Sequence, residues 1–119
     1  MPESARTFIL MEGIPTKESG NMTIKKEREG NKLMVAVEGR LDTVTSPELD
    51  QLLKESLEGI EALELDLTEL QYISSAGLRV LLSAQKTMNK QGTMVLTGVG
   101  ETVMEVFEVT GFADILTIK

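Results

Sequence analysis

The sequence predicts a mixed α/β fold with the element order β-β-α-β-α-β-α-β. Three observations predict it. Short apolar runs alternate with leucine-rich stretches of helical period. The first two runs are separated by Gly30-Asn31, a plausible two-residue hairpin turn. Each later run is separated from the next by a helix-length segment, which predicts parallel pairing through crossovers. The expected sheet has an antiparallel edge hairpin and parallel strands joined by helices, which cover it at least in part.

Each element has its own reason. Thr23–Glu29 alternates weakly and reads as a charged edge strand. Leu33–Val37 (LMVAV) is apolar on both faces and suits a strand covered on both sides. Thr45 and Glu48 then have the spacing of a capping box. The alternative is a cap at Ser46 with Pro47 in the first helical position. Leu49, Leu52, Leu53, Leu57 and Ile60 fall on one helical stripe, with Gly59 as its stop. In Ala62–Leu67 the leucines point one way, and Glu64 and Asp66 the other. Thr68–Tyr72 reads as a connection. A helix over Ser75–Asn89 carries Leu78, Leu81, Leu82 and Met88 on one side, widened by Val80 and Ala84, and ends at Lys90-Gln91-Gly92. Thr93–Thr97 is a further strand, and Gly98-Val99-Gly100 a turn. Val103, Val106, Phe107 and Thr110 line a third helix closed by Gly111, and Ile115–Ile118 is a short last strand. Residues 1–21 show no periodicity and read as a flexible extension before a domain over residues 22–119. Met11 and Met22 are further possible starts.

Composition narrows the function. The chain has 119 residues, the size of one domain, and 41% of them are apolar, enough for a core. Aromatics are only 3%, so that core must be aliphatic. Cysteine is absent, which excludes disulfides and thiolate metal sites; histidine is absent too, which removes the usual general base. A net charge of −7 and the scarcity of aromatics argue against nucleic acid as a partner. No apolar run approaches membrane-spanning length, and Phe8–Met11 is too short for the apolar core of a signal peptide. The expected location is the cytoplasm, with no membrane partner.

Most chemistries lack their residues. A nucleophilic serine needs a base, yet GxSxG does not occur, and Lys86 lies about three helical turns from Ser75. The densest acidic patch, Glu61, Glu64, Asp66 and Glu69, offers two oxygen ligands at best on one strand face. A phosphate loop is missing, and Gly98-x-Gly100 lacks a third glycine because Val103 takes its place. A phosphoaspartate receiver built on Asp66 would need an acidic pair after the first strand, where the chain has Gly30-Asn31. No catalytic residue, metal or cofactor is expected.

What remains is Ser74-Ser75-Ala76-Gly77, where strand-like residues give way to a helix. Serine caps helix starts well. One cap needs only one serine, however, and a glycine in the first helical turn costs about 0.5–1 kcal/mol relative to alanine. A helix N-terminus also tolerates an anion, so a phosphoserine is compatible with the fold there.

Three stretches carry a family resemblance. GRLDTVTSPEL (39–49) has the form of a Gly-x-Leu-Asp loop leading into a first helix. LDLTELQYISSAGLRVLL (65–82) has the form of a strand, a loop and an Asp-Ser-Ser-Gly-Leu signature. VFEVTGFADILTI (106–118) has the form of a closing helix and strand. Together they resemble the STAS domain family, and within it the stand-alone bacterial anti-sigma factor antagonists, over about residues 22–119. The resemblance implies a STAS-like mixed sheet and a partner switch without enzymatic activity. The unmodified protein would bind an anti-sigma factor that is also a serine kinase, and so free a sigma factor. Phosphorylation would block binding, and a metal-dependent serine phosphatase would reverse it.

Aligning Gly77-Leu78 with the family's Gly-Leu puts the phosphoacceptor at Ser75. The family often has Asp immediately before the acceptor; Ser74 stands there, which makes Ser74 a second choice. The expected partner-binding residues are Asp42, Thr43, Ser74, Ser75, Ala76, Gly77 and Arg79, on a protein expected to be monomeric when free. A turn and cap is the alternative role for Asp42 and Thr43, and a solvated face for Arg79 with Lys86 and Lys90. Two other functions fit the same residues. One is a phosphorylation-independent adaptor. The other is a small-ligand or nucleotide module using Gly98–Gly100 or the Ser74–Gly77 turn.

Overall fold

A computed structural model describes residues 22–119. The reading of residues 1–21 as a flexible extension lies outside the described residues. The elements are β1 (Met22–Glu29), β2 (Lys32–Leu41), α1 (Ser46–Ser56), β3 (Ala62–Asp66), β4 (Leu70–Ile73), α2 (Ser75–Asn89), β5 (Thr93–Thr97) and α3 (Glu101–Thr110). A short 3-10 turn follows at Phe112–Asp114. The mixed α/β class stands: the described residues form five strands, antiparallel and parallel, and three helices.

β1 and β2 form the expected hairpin, with Glu29 opposite Lys32 and Gly30 in the left-handed region at φ 63°. The main sheet order is β1-β2-β3-β5, antiparallel between β1 and β2 and parallel beyond. The first half of β2 carries β3, and its second half carries β4. Between those halves Gly39 takes φ 94°, and the register with β4 shifts at Gly39–Arg40.

Burial follows the alternation predicted for β3; β2, read as covered on both faces, alternates instead, and so does β5. Leu33, Val35 and Val37 of β2, Leu63 and Leu65 of β3 with the following Leu67, and Met94 and Leu96 of β5 all face the core. Leu49 and Leu53 of α1 and Leu78, Leu81 and Met88 of α2 close over it. Met34 and Ala36, on the opposite face of β2, are half-buried, so this strand is not equally covered on both sides. Phe107 of α3 is fully buried, an aromatic in an otherwise aliphatic interior.

Four more local expectations need correction. The segment read as a connection, Thr68–Tyr72, contains β4, and β2 runs on to Leu41 to receive it. The helical stripe read to Ile60 ends as a helix at Ser56. Leu57 and Ile60 lie beyond its end and are still buried, and the Gln91 Nε2 donates to both of their carbonyls at 2.7 Å. Thr45 is the N-cap of α1, but its side chain makes no capping bond; Pro47 sits in the first turn. The expected last strand is reduced to one parallel bridge between Leu96 and Ile118, after the 3-10 turn.

Candidate functional site

The predicted serines meet the end of the sheet at β2 and β4. Leu41 and Ile73 are paired, and the Ser74 amide donates to the Leu41 carbonyl at 2.9 Å. Ser74 is still extended, at φ −100° and ψ 177°, so its side chain turns back toward the new helix. There its hydroxyl accepts from the Gly77 amide at 3.4 Å, a long but directed N-cap. Ser75 is the first residue of α2. It is exposed, and its hydroxyl has no hydrogen bond among the described residues. The two serines therefore divide the work: one hydroxyl caps the helix, the other is free.

Gly77 has a packing reason. A Cβ there would lie 2.8 Å from side-chain carbons of both Ile73 and Leu41, and 2.9 Å from the Leu41 carbonyl oxygen. The glycine lets the first turn of α2 rest directly on the end of β2. Replacing Ser74 by alanine should cost about 0.5–1 kcal/mol of stability. Ser75→Ala should stay within about 0.5 kcal/mol of wild type. Urea unfolding of the two variants measures the difference, and equal losses would refute the division.

The loop after β2 is built around Asp42. Its Oδ1 accepts from the Val44 and Thr45 amides, both at 3.0 Å, and lies 3.2 Å from the Thr45 hydroxyl. The Asp42 amide donates to that hydroxyl oxygen at 2.8 Å, and the Ser46 amide donates to the Asp42 carbonyl at 2.8 Å. The Thr45 amide bond holds the Asp42 carboxyl below the usual carboxylate range. Partial burial opposes this, while the Thr45 hydroxyl, the Val44 amide and the Arg40 charge reinforce it. Asp42 thus holds the turn before α1, the part of its structural role that the geometry shows. Thr43, beside it, is exposed.

A depressed folded pKa means that the Asp42 interactions are fully present above the unfolded value, near 3.9, and fade as pH falls through the folded value. Asp42→Ala should therefore lose about 1–2 kcal/mol at neutral pH. That loss should shrink below about pH 4, as read by denaturation at pH 7 and pH 3. A loss independent of pH would contradict the assignment.

Sequence reasoning missed a rim at this end of the sheet. The Arg40 guanidinium lies 4.2 Å from the Tyr72 ring centre, and its Nε is 3.7 Å from Asp42 Oδ2. Val44 is 75% exposed at the tip of the loop. A lone valine in a polar DTVT turn and the chain's single tyrosine were the available signals. Asp42 and Thr43 follow directly on Leu41, which pairs with Ile73 and accepts from the Ser74 amide, so they leave the sheet at the same end as Ser74–Gly77. Arg79 is exposed one turn further along α2.

Gly98 and two of the acids singled out in the sequence have structural roles. Gly98 is at φ 69°, and a Cβ there would meet the Thr68 hydroxyl, so this glycine admits the neighbouring loop. Among the acids, Asp66 Oδ1 accepts from the Thr68 amide and hydroxyl, and Glu64 pairs with Lys32 at 3.7 Å. No group of three metal-ligating residues occurs among the described residues. None of their helices is long and apolar enough to cross a membrane.

Comparison with known proteins shows the family and the fold. A family model described as STAS domain matches residues 23–119. An anti-sigma-B factor antagonist from Listeria monocytogenes serovar 1/2a is 37% identical over 103 residues, covering 83% of this chain and 90% of the relative. Among solved structures, an anti-sigma factor antagonist from Mycobacterium paratuberculosis superposes with a TM-score of 0.76 at 22% identity, over 87% of this chain and 89% of the other. The Bacillus cell fate determinant SpoIIAA in its phosphorylated form gives a TM-score of 0.66 at 14% identity, over 82% and 91%. The two structures establish the shared fold.

Proposed function

Because the chain belongs to the STAS domain family, we propose that it is an anti-sigma factor antagonist that works by partner switching. The unphosphorylated form binds an anti-sigma factor with serine kinase activity and releases a sigma factor. The kinase transfers the γ-phosphoryl group of a nucleoside triphosphate to the Ser75 oxygen. The hydroxyl proton leaves, and the nucleoside diphosphate is the other product. Phosphorylated protein no longer binds, until a metal-dependent serine phosphatase hydrolyses the ester. The protein itself acts by binding, as a cytoplasmic monomer, without catalysis.

The observation that carries this reading is the free, exposed hydroxyl of Ser75 beside a Ser74 already spent on the cap. Relatives named as anti-sigma-B factor antagonists support the antagonist role. Asp42, Thr43, Ser74, Ala76, Gly77 and Arg79 form or shape the surface around that hydroxyl. Asp42 and Gly77 do so by fixing its frame. The test is displacement of a sigma factor from its complex with the anti-sigma factor kinase. Unphosphorylated protein should displace it, and phosphoserine-75 protein should not. Equal displacement by both forms would favour a phosphorylation-independent adaptor.

A further inference from the structure

The chain carries a net charge of −7, yet from Ser74 to Lys90 it contains no acidic residue. Arg79 and Lys86 lie within α2, and Lys90 caps its end. All three are exposed. None makes an ion pair among the described residues, where Lys25, Lys32, Arg40 and Lys54 each have an acidic partner. Ser75, Arg79, Lys86 and Lys90 are spaced by four, seven and four residues, which places them along one outward stripe. The opposite side of the helix holds Leu81, Ala84 and Met88 in the core, so the stripe faces away from the protein.

We propose that this stripe is the partner-reading surface, that it takes an acidic protein patch, and that phosphate on Ser75 disables it from within by pairing with Arg79. The proposal rests on the partner-switch reading and specifies how its site works. A mainly acidic protein repels an acidic surface everywhere except where its cations are gathered and unpaired. α2 is such a place. An acid four residues before a base is the favourable order for an intrahelical pair, and Ser75 stands four residues before Arg79. A phosphoserine there would engage Arg79 with a dianion and a fork of donors. The partner would lose its first cation and meet a phosphate in its place. The switch would thus be capture as well as repulsion. Three cations on a chain of this charge are a poor match for duplex nucleic acid.

Two measurements test this. The first is a phosphorus NMR titration of full-length protein carrying phosphoserine at position 75, alone and with Arg79→Gln. Capture predicts a second phosphate pKa lower by about 0.5 in the wild-type background. The helix N-terminus acts equally on both proteins, so the difference isolates Arg79. Coincident titrations would overturn capture. The second is affinity of the unphosphorylated protein for the purified anti-sigma factor kinase across a salt series, with a random duplex DNA as control. The Arg79→Gln, Lys86→Gln, Lys90→Gln triple variant should bind roughly tenfold more weakly at low salt, with a flatter salt dependence. Unchanged affinity and slope, or tight binding to the DNA, would overturn the acidic-partner assignment. Failure of wild-type protein to bind the kinase would defeat the partner-switch reading and the docking role with it. The NMR titration would still decide the intrahelical pair.

Discussion

Phosphoserine at position 75 is expected to weaken binding to the anti-sigma factor kinase by about a thousandfold relative to serine. That corresponds to roughly 4 kcal/mol; nearly complete switching of a two-state equilibrium takes about 5.5 kcal/mol. The magnitude follows from where the group sits. Ser75 is exposed at the first position of α2, so a phosphate would stand out on the proposed docking face. The helix start cannot swing it aside. The Leu41–Ser74 hydrogen bond and the tight seat of Gly77 on Leu41 pin the turn to the sheet. A bound partner must then desolvate or face about −1.5 to −2 charges. Ser75→Asp carries less charge and fewer oxygens, and should lose only about tenfold. Calorimetric titration of the three proteins into the kinase reads the series. Equal affinity for serine and phosphoserine would sink the switch.

Gly77→Ala should lose about 1–2 kcal/mol of stability net, as much as Asp42→Ala. Alanine gains about 0.5–1 kcal/mol over glycine in a helix. Against that, its methyl group meets two side-chain carbons at 2.8 Å and a carbonyl oxygen at 2.9 Å. Overpacking of this kind costs about 1–3 kcal/mol. The side chains of Ile73 and Leu41 are themselves buried, and the carbonyl is held by the Ser74 amide. Relief therefore requires α2 to lift from β2. The Tm should fall by several degrees, at about 4–8 °C per kcal/mol for a domain near this size. Partner binding should weaken as well, because the shifted turn carries Ser75 and Arg79. A variant as stable as wild type would show that the first turn of α2 is not tightly seated.

The sheet and helices were legible because their signals are local. Leu63, Leu65 and Leu67 alternate with Glu64 and Asp66, and the burial pattern follows that alternation. β4 was not legible for a physical reason. In Leu70–Ile73 the two ends are buried and Gln71 and Tyr72 are both exposed, so no alternation exists. That pattern accompanies a register shift in β2 at Gly39–Arg40, which only the pairing reveals. The end of α1 was misread because Leu57 and Ile60 keep the helical phase after the helix has stopped. A side chain from 31 to 34 residues away holds them in place. Ile115–Ile118 has strand-like residues but only one bridge to Leu96.

At the site, the sequence placed two serines at the helix start, and the family resemblance selected Ser75. The reason Ser74 is the cap lies in its backbone: it is still extended when its hydroxyl meets the Gly77 amide. Asp42 presented two roles in the sequence. Its three loop contacts give it the structural one. Tyr72 over Arg40 was invisible, because it depends on pairing between β2 and β4.

The central claim is that Ser75 receives phosphate in the cell and Ser74 does not. Phosphopeptide mapping of the protein, isolated from its own cells in growth and in stress with phosphatases blocked, tests it most directly. The account predicts phosphate on Ser75, at an occupancy that changes between the two states. Phosphate on Ser74, or full peptide coverage with none on either serine, would contradict it.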